Sequence, residues 1–86
     1  MKSLATAEFW RQFAGLPAGV QQNARKAYRL WVRNPQHNSL RFKKVGRLWS
    51  VRISRGYRAL GLFKNDTIHW FWIGPHDEYE RILMNR

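Results

Sequence analysis

The chain contains no cysteine, so no disulfide staples it and its packing must hold unaided, in a reducing compartment as well as an oxidising one. Acidic residues are scarce: five Asp and Glu stand against 16 Lys and Arg, a formal charge of +11 over 86 residues. Long apolar runs are missing too. Runs unbroken by proline reach only five residues, as at 70–74, far short of the ~20 residues that span a membrane as a helix. Residues 1–7 hold one Lys and no apolar stretch, which gives no secretory signal. No repeat, linker or low-complexity segment interrupts the chain. A chain this short makes one domain with one core, burying roughly 60–70 % of its unfolded surface. That core exists, because 44 % hydrophobic residues and five Trp are far from a disordered polycation. What remains is a small soluble, cytoplasmic domain whose charge calls for an anionic partner.

The placement of the charge says more than its sum. Glu8 lies near the start, and Asp66, Asp77, Glu78 and Glu80 lie in the last quarter; no carboxylate falls between residues 9 and 65. That stretch carries 13 Lys and Arg, which cannot be salt-bridge partners of acids that are absent. Self-repulsion on this scale opposes compaction. An external polyanion explains it better than a merely solvated surface does.

Residues 1–5 suit a short edge strand. Thr6 is a candidate N-cap, and Glu8, Phe9, Trp10 and Phe13 begin a short helix that stops near Gly15. Pro17 opens a second helix, with Val20, Ala24, Ala27 and Trp31 on one face and Gln21, Gln22, Arg25, Lys26 and Arg29 on the other. Asn34-Pro35 ends it. From Leu40 the pattern alternates, giving strands at 40–45, 48–54, 58–64 and 67–73. Their turns fall at Gly46-Arg47, Arg55-Gly56-Tyr57 and Asn65-Asp66. The expected fold is α+β. An N-terminal antiparallel helix pair covers one face of a twisted antiparallel sheet of about four strands, and a short C-terminal helix follows, all in one domain over residues 1–86.

Turn lengths set the register, and register decides which side chains share a face. Pairing outward from each turn puts Val51 opposite Phe42, Ile53 opposite Ala59, Gly61 opposite Trp70 and Ala59 opposite Trp72, so the smallest strand residues meet the largest. The apolar set, with Trp49, Val51, Ile53, Ala59, Trp70 and Trp72, then lies under the helices. The other face gathers Arg41, Lys43, Ser50, Arg52, Ser54 and Arg58, beside Leu60, Leu62, His69 and Phe71. Such a basic, partly aromatic sheet face suits a phosphate backbone and stacked bases. Lys44 and Arg55 extend it, and Arg25, Lys26, Arg29 and Arg33 make a second basic region on the second helix.

The last segment, Gly74-Pro75-His76-Asp77-Glu78-Tyr79-Glu80-Arg81, reads as strand end and short helix. His76 and Tyr79, three apart, share one side of it, close to Arg58, which pairs with Ile73 in this register. A metal-free ribonuclease must take the proton from a 2′-hydroxyl, stabilise extra charge on phosphorus and protonate the leaving oxygen. His titrates nearest neutrality and Arg stays charged throughout. No phosphate loop or activated nucleophile is visible, and His37, His69 and His76 lack metal-ligand spacing, so neither metal nor cofactor is expected. Duller readings stand beside these. The five Trp read as core, His37 and His69 as a loop and a sheet residue, and Tyr79 and His76 fit an anchoring role as well as a catalytic one. Arg52 and Arg58 are harder to dismiss, because two Arg in strand interiors without partners are rare.

The order helix pair, hairpin-joined strands around Leu-Trp-Ser-Val-Arg-Ile-Ser-Arg-Gly-Tyr-Arg-Ala-Leu-Gly, and then Trp-Ile-Gly-Pro-His-Asp-Glu-Tyr resembles the RelE/ParE toxin superfamily over nearly the whole chain. It looks closest to the RelE-like branch of type II toxin–antitoxin toxins. The Gly56-Tyr57-Arg58 step and the His76 to Tyr79 tail are its most specific motifs. The resemblance implies a toxin that enters the ribosomal A site and cuts mRNA there through attack of the 2′-oxygen, with the 70S ribosome, mRNA and rRNA as partners. It also implies a hetero-oligomer with a neutralising antitoxin, acidic or helix-turn-helix in character. Arg58 would match the family's phosphate-stabilising arginine and Arg52 a basic residue of the preceding strand. His76 and Tyr79 would fall in its C-terminal catalytic region. This chain departs in having Ser50 where some members carry a second Lys, and no carboxylate on the open sheet face. The general base is then His76 or Tyr79, with Lys43 as an electrostatic substitute. Two other functions compete: a ParE-like DNA gyrase poison on the same fold, and a non-catalytic RNA-binding module.

Overall fold

The computed structural model describes residues 2–84. Its elements are β1 (Lys2–Ala5), α1 (Ala7–Ala14), α2 (Ala18–Arg33), a 3-10 turn (Asn38–Leu40), β2 (Lys43–Val45), β3 (Leu48–Ser54), β4 (Tyr57–Lys64), β5 (Thr67–Pro75) and α3 (His76–Met84). Thr6 caps α1, its side chain accepting from the Phe9 backbone N–H at 3.1 Å. The strands form one sheet in the order β1-β5-β4-β3-β2. The expected four strands are therefore five, and the sheet is mixed. β1 pairs with β5 in parallel, Ser3 opposite Ile68 and Ala5 opposite Trp70. The alternation of four residues carries no information about strand direction. That direction is set instead by the exit into α1, where the Thr6 N–H donates to the Trp70 carbonyl at 3.0 Å.

The register differs from expectation at three places. β2 begins at Lys43 because Leu40 closes the 3-10 turn and Arg41 takes a left-handed φ of 46°, so Val51 has no strand partner at Phe42. The Phe42 ring stacks on Trp49 instead, centroids 4.8 Å apart. The β3–β4 connection is the two-residue turn Arg55-Gly56, with an irregularity between Arg52 and Ser54. Val51 consequently faces Ala59, and Arg52 faces Arg58. This slip of two residues keeps every side chain on its expected face.

The third difference changes faces. Gly61 pairs with Trp70 as expected, but Leu60 pairs with Trp72 and Ala59 with Ile73, because β5 carries an extra residue at Phe71. A bulge of this kind reverses the alternation beyond it. Ile73, not Trp72, points under the helices. The Ile73 N–H donates to Gln12 Oε1 of α1 at 3.0 Å, filling a place that β1 is too short to reach.

The main core joins Val51, Ala59, Ile68, Trp70 and Ile73 of the sheet to Ala24 and Trp31 of α2 and to Leu40. Trp31 is its centre, 2 % exposed, edge-on to Phe42 and Trp70 at 5.7 Å each. Burying such an indole contributes about 4–6 kcal/mol before entropy is counted. Gly61 makes room for its neighbours: a Cβ there would lie 2.9 Å from Ile68 Cγ1 and from Trp70 Cε3. Gly61→Ala is therefore expected to lower unfolding free energy in urea by about 1–3 kcal/mol. Gly19→Ala, where a Cβ meets nothing within 4 Å, should leave it unchanged or slightly raised. Equal denaturation midpoints for the Gly61 variant and the parent would refute this account.

Candidate active site

α3 folds back onto the sheet face opposite the helix pair and packs on β4 and β5. It has Asp77 and Glu78 in its first turn, where acids suit the helix dipole. The seat beneath it includes Trp72, which the β5 bulge brings to this face. Leu60 is fully buried. The Trp72 indole lies along the strand over Gly74, where a Cβ would come within 2.8 Å of its Cζ2. Tyr79 of α3 reaches down to Ser50 of β3, hydroxyl to hydroxyl at 2.9 Å. Both residues are buried, at 6 % and 2 % exposure, so the pair satisfies two polar groups that would otherwise be costly in that setting. The sheet face expected to be open is thus roofed over part of its area.

Arg58 stands at the edge of that roof. It is flanked across the strands by Arg52 on one side and Gly74 on the other. Its Nη1 donates to the carbonyls of Ser54 at 2.7 Å, Tyr57 at 2.9 Å and Arg55 at 3.3 Å. The guanidinium therefore fastens the β3–β4 turn from within and leaves its Nη2 and Nε donors outside these bonds. Burial, then repulsion from Arg52 and Arg41, holds its pKa below the ordinary arginine value, while Tyr79 and Glu80 pull the other way. It stays protonated at any physiological pH.

His76 grips the same turn from α3. Its backbone N–H donates to the Gly56 carbonyl at 2.8 Å. Its ring lies 5.5 Å from the Tyr79 ring, and its Nε2 is 3.4 Å from Glu80 Oε1. Both side chains are accessible, His76 at 39 % and Glu80 at 54 %. Arg41, Arg52, Arg58, His76, Tyr79 and Glu80 are in this way gathered at one end of the sheet. Chemically the cluster offers a base with a carboxylate neighbour beside a group of fixed cations, an arrangement able to bind a phosphodiester and move a proton.

The other sequence candidates fall around this centre. Arg41 comes from the left-handed residue after the 3-10 turn, not from a strand. Lys43 stands opposite Ser50 on the roofed face and Lys44 opposite Trp49. Arg55 is exposed in the turn. Lys26, Arg29 and Arg33 line a groove beside Arg52, whereas Arg25 turns toward α1, its Cζ 5.1 Å over the Phe13 ring. Sequence reasoning missed Glu80. The i, i+4 spacing from His76 was the signal that places the two on one side of a helix. Among the described residues no group of three or more His, Asp and Glu lies close enough to hold a metal ion.

A family model described as ParE-like toxin domain matches residues 18–81. The chain belongs to this family. Among solved structures, a chain of the RelB–RelE antitoxin–toxin complex from Methanococcus jannaschii superposes with a TM-score of 0.72 at 13 % identity, covering 92 % of this chain and 96 % of the other. The YoeB/ParE toxin from Agrobacterium tumefaciens gives 0.66 at 16 % identity, with 88 % and 99 % covered. The isolated E. coli RelE toxin gives 0.62 at 11 % identity, with 98 % and 96 % covered. No curated protein matches at the level of sequence. Family and fold together set this ParE-like domain in the RelE/ParE toxin superfamily.

The Ser50–Tyr79 bond yields a prediction for this ParE-like domain. Ser50→Ala and Tyr79→Phe should each cost about 1–3 kcal/mol by leaving a buried hydroxyl unpaired. The double variant should cost clearly less than their sum. Chemical denaturation of the four proteins checks this, and strict additivity would contradict the pairing.

Proposed function

We propose that this protein is the toxin of a type II toxin–antitoxin pair, and that it inhibits translation as a ribosome-dependent endoribonuclease acting on mRNA. The observation that carries the reading is the meeting of His76 and Glu80 of α3 with Arg58, Arg52 and Arg41 around the β3–β4 turn. In this reading His76 takes the proton from the 2′-oxygen, which attacks the adjoining phosphorus. A 2′,3′-cyclic phosphate forms as the bond to the 5′-oxygen breaks, and solvent water protonates that oxygen as it leaves while the proton held by His76 passes to solvent. Arg58 and Arg52 offset the charge that builds on the phosphoryl oxygens. Glu80 accepts from His76 and orients the ring. Tyr79, bonded to Ser50, seats α3 and so positions the His76–Glu80 pair. The antitoxin is the neutralising partner, its acidity complementing a surface that carries so few acids of its own. The site acts in the cytoplasm, on the ribosome. No helix among the described residues is long and apolar enough to cross a membrane.

A second reading, a ParE-like gyrase poison, draws on the description of the matching family. It leaves the arginine and histidine cluster without a task, and for that reason ranks below the nuclease.

Mapping mRNA 5′ ends after brief expression, with gyrase supercoiling measured in parallel, separates the two. Arg58→Lys keeps a charge but loses the guanidinium fork, and should reduce cleavage about 100- to 1,000-fold. His76→Ala should reduce it about 100-fold or more, and Glu80→Gln about tenfold. Arg58→Ala is the poorer probe, because it also removes the hydrogen bonds that hold the turn. Cleavage unchanged in Arg58→Lys and His76→Ala, or a parent protein that inhibits gyrase and cuts no mRNA, would overturn the assignment.

A further inference from the structure

The two basic regions of the sequence meet in the fold. Lys26, Arg29 and Arg33 of α2 and Arg52 of β3 line one groove of about 670 Å³, to which Ser39 and Ser54 also contribute. The groove exists because β2 is short. Its pairing with β3 stops at Ser50, and beyond that residue no strand among the described residues covers the outer edge of β3. On α2 the three cations recur at offsets of three and four residues, forming one row about 10 Å long at 1.5 Å per residue. All three are exposed, and none has an ion-pair partner among the described residues. Arg52 belongs to this groove and also faces Arg58 across the strands.

We propose that the groove between α2 and β3 holds the phosphate backbone of the same single RNA strand that enters the Arg58 site, the strand passing from Arg58 across Arg52 and along the α2 row. Naming the strand as the one being cut rests on the ribonuclease reading above; binding of single-stranded RNA in the groove does not. Arg forks match phosphate oxygens two at a time, and a straight row of cations suits a ligand whose charges repeat. An amphipathic protein segment would seek apolar area. That area lies on the other flank of α2, around Leu4, Trp10 and Tyr28.

Fluorescence anisotropy on the full-length protein tests this, using single-stranded RNA made uncleavable by 2′-O-methylation. One RNA of about 12 nucleotides and one of about 4 bracket the size of a single-strand site. For the longer RNA, the double variant Arg29→Ala/Arg33→Ala is expected to reduce the slope of log K against log salt by about 1.4, at about 0.7 for each phosphate no longer neutralised. The slope for the shorter RNA, which fills only the Arg58 end, stays the same. Lys2→Ala/Lys64→Ala removes equal charge away from the groove and leaves both slopes as they were. Circular dichroism verifies that each variant is folded. Parent-like slopes in the Arg29/Arg33 variant overturn the proposal. So does a loss confined to an RNA hairpin, which assigns the groove to a second RNA, or a loss confined to polyglutamate, which assigns it to an acidic protein. Ribosomal cleavage by the parent is assayed in parallel. If the parent cuts no mRNA, the nuclease reading fails while the anisotropy result still decides whether the groove binds a single strand.

Discussion

One additional residue in β5 gives this protein its second layer. Without Phe71 the alternation of β5 would continue unbroken, and Trp72 would lie under the helices. With it, Ile73 closes the main core, and Trp72 joins Leu60 on the far side of the sheet. That far side then has enough apolar surface to seat a helix, and α3 takes the place. Everything proposed as chemistry follows from that seat: Tyr79 reaches Ser50, His76 reaches the β3–β4 turn, and Glu80 is carried in beside it. The bulge is stabilised from the other layer by Gln12, so α1 helps to set the geometry of a site it does not touch.

The electrostatics of the site are unfavourable by construction. Arg52 and Arg58 oppose each other directly across two strands, a placement that destabilises a sheet, and Arg41 adds to the repulsion. Two things offset it. Three turn carbonyls accept from Arg58, and α3 brings a carboxylate that acts on this arginine, Glu80. A cluster of like charges with so little internal compensation is what one expects where the missing counter-charge arrives with the ligand.

Much of this was legible in the residues. The Thr6 cap, the two helices, the strand faces as far as Trp70 and the proximity of Arg58, His76 and Tyr79 all follow from periodicity and turn residues. What was not legible has a common cause. The left-handed Arg41, the two-residue turn at Arg55-Gly56 and the bulge at Phe71 each alter the chain by one residue or two, and a hydrophobic pattern tolerates that without any visible change. Even-numbered slips left the faces intact; the single-residue bulge did not, and it moved Trp72. The parallel pairing of β1 was hidden for another reason, since direction is decided by tertiary contacts that four residues do not encode. Glu80 was written in its spacing from His76, but its importance depended on knowing that α3 turns back over the sheet.

On the proposed reading, Arg58 enters its task already ordered. A long cationic side chain on a surface explores many rotamers and surrenders up to about 2 kcal/mol of that freedom when an anion captures it. Here three backbone carbonyls have captured one end of the guanidinium during folding. The turn is therefore also a jig: it holds the remaining donors steady ahead of the proposed phosphate. Recognition at this position then costs less conformational entropy than at an untethered cation such as Lys64.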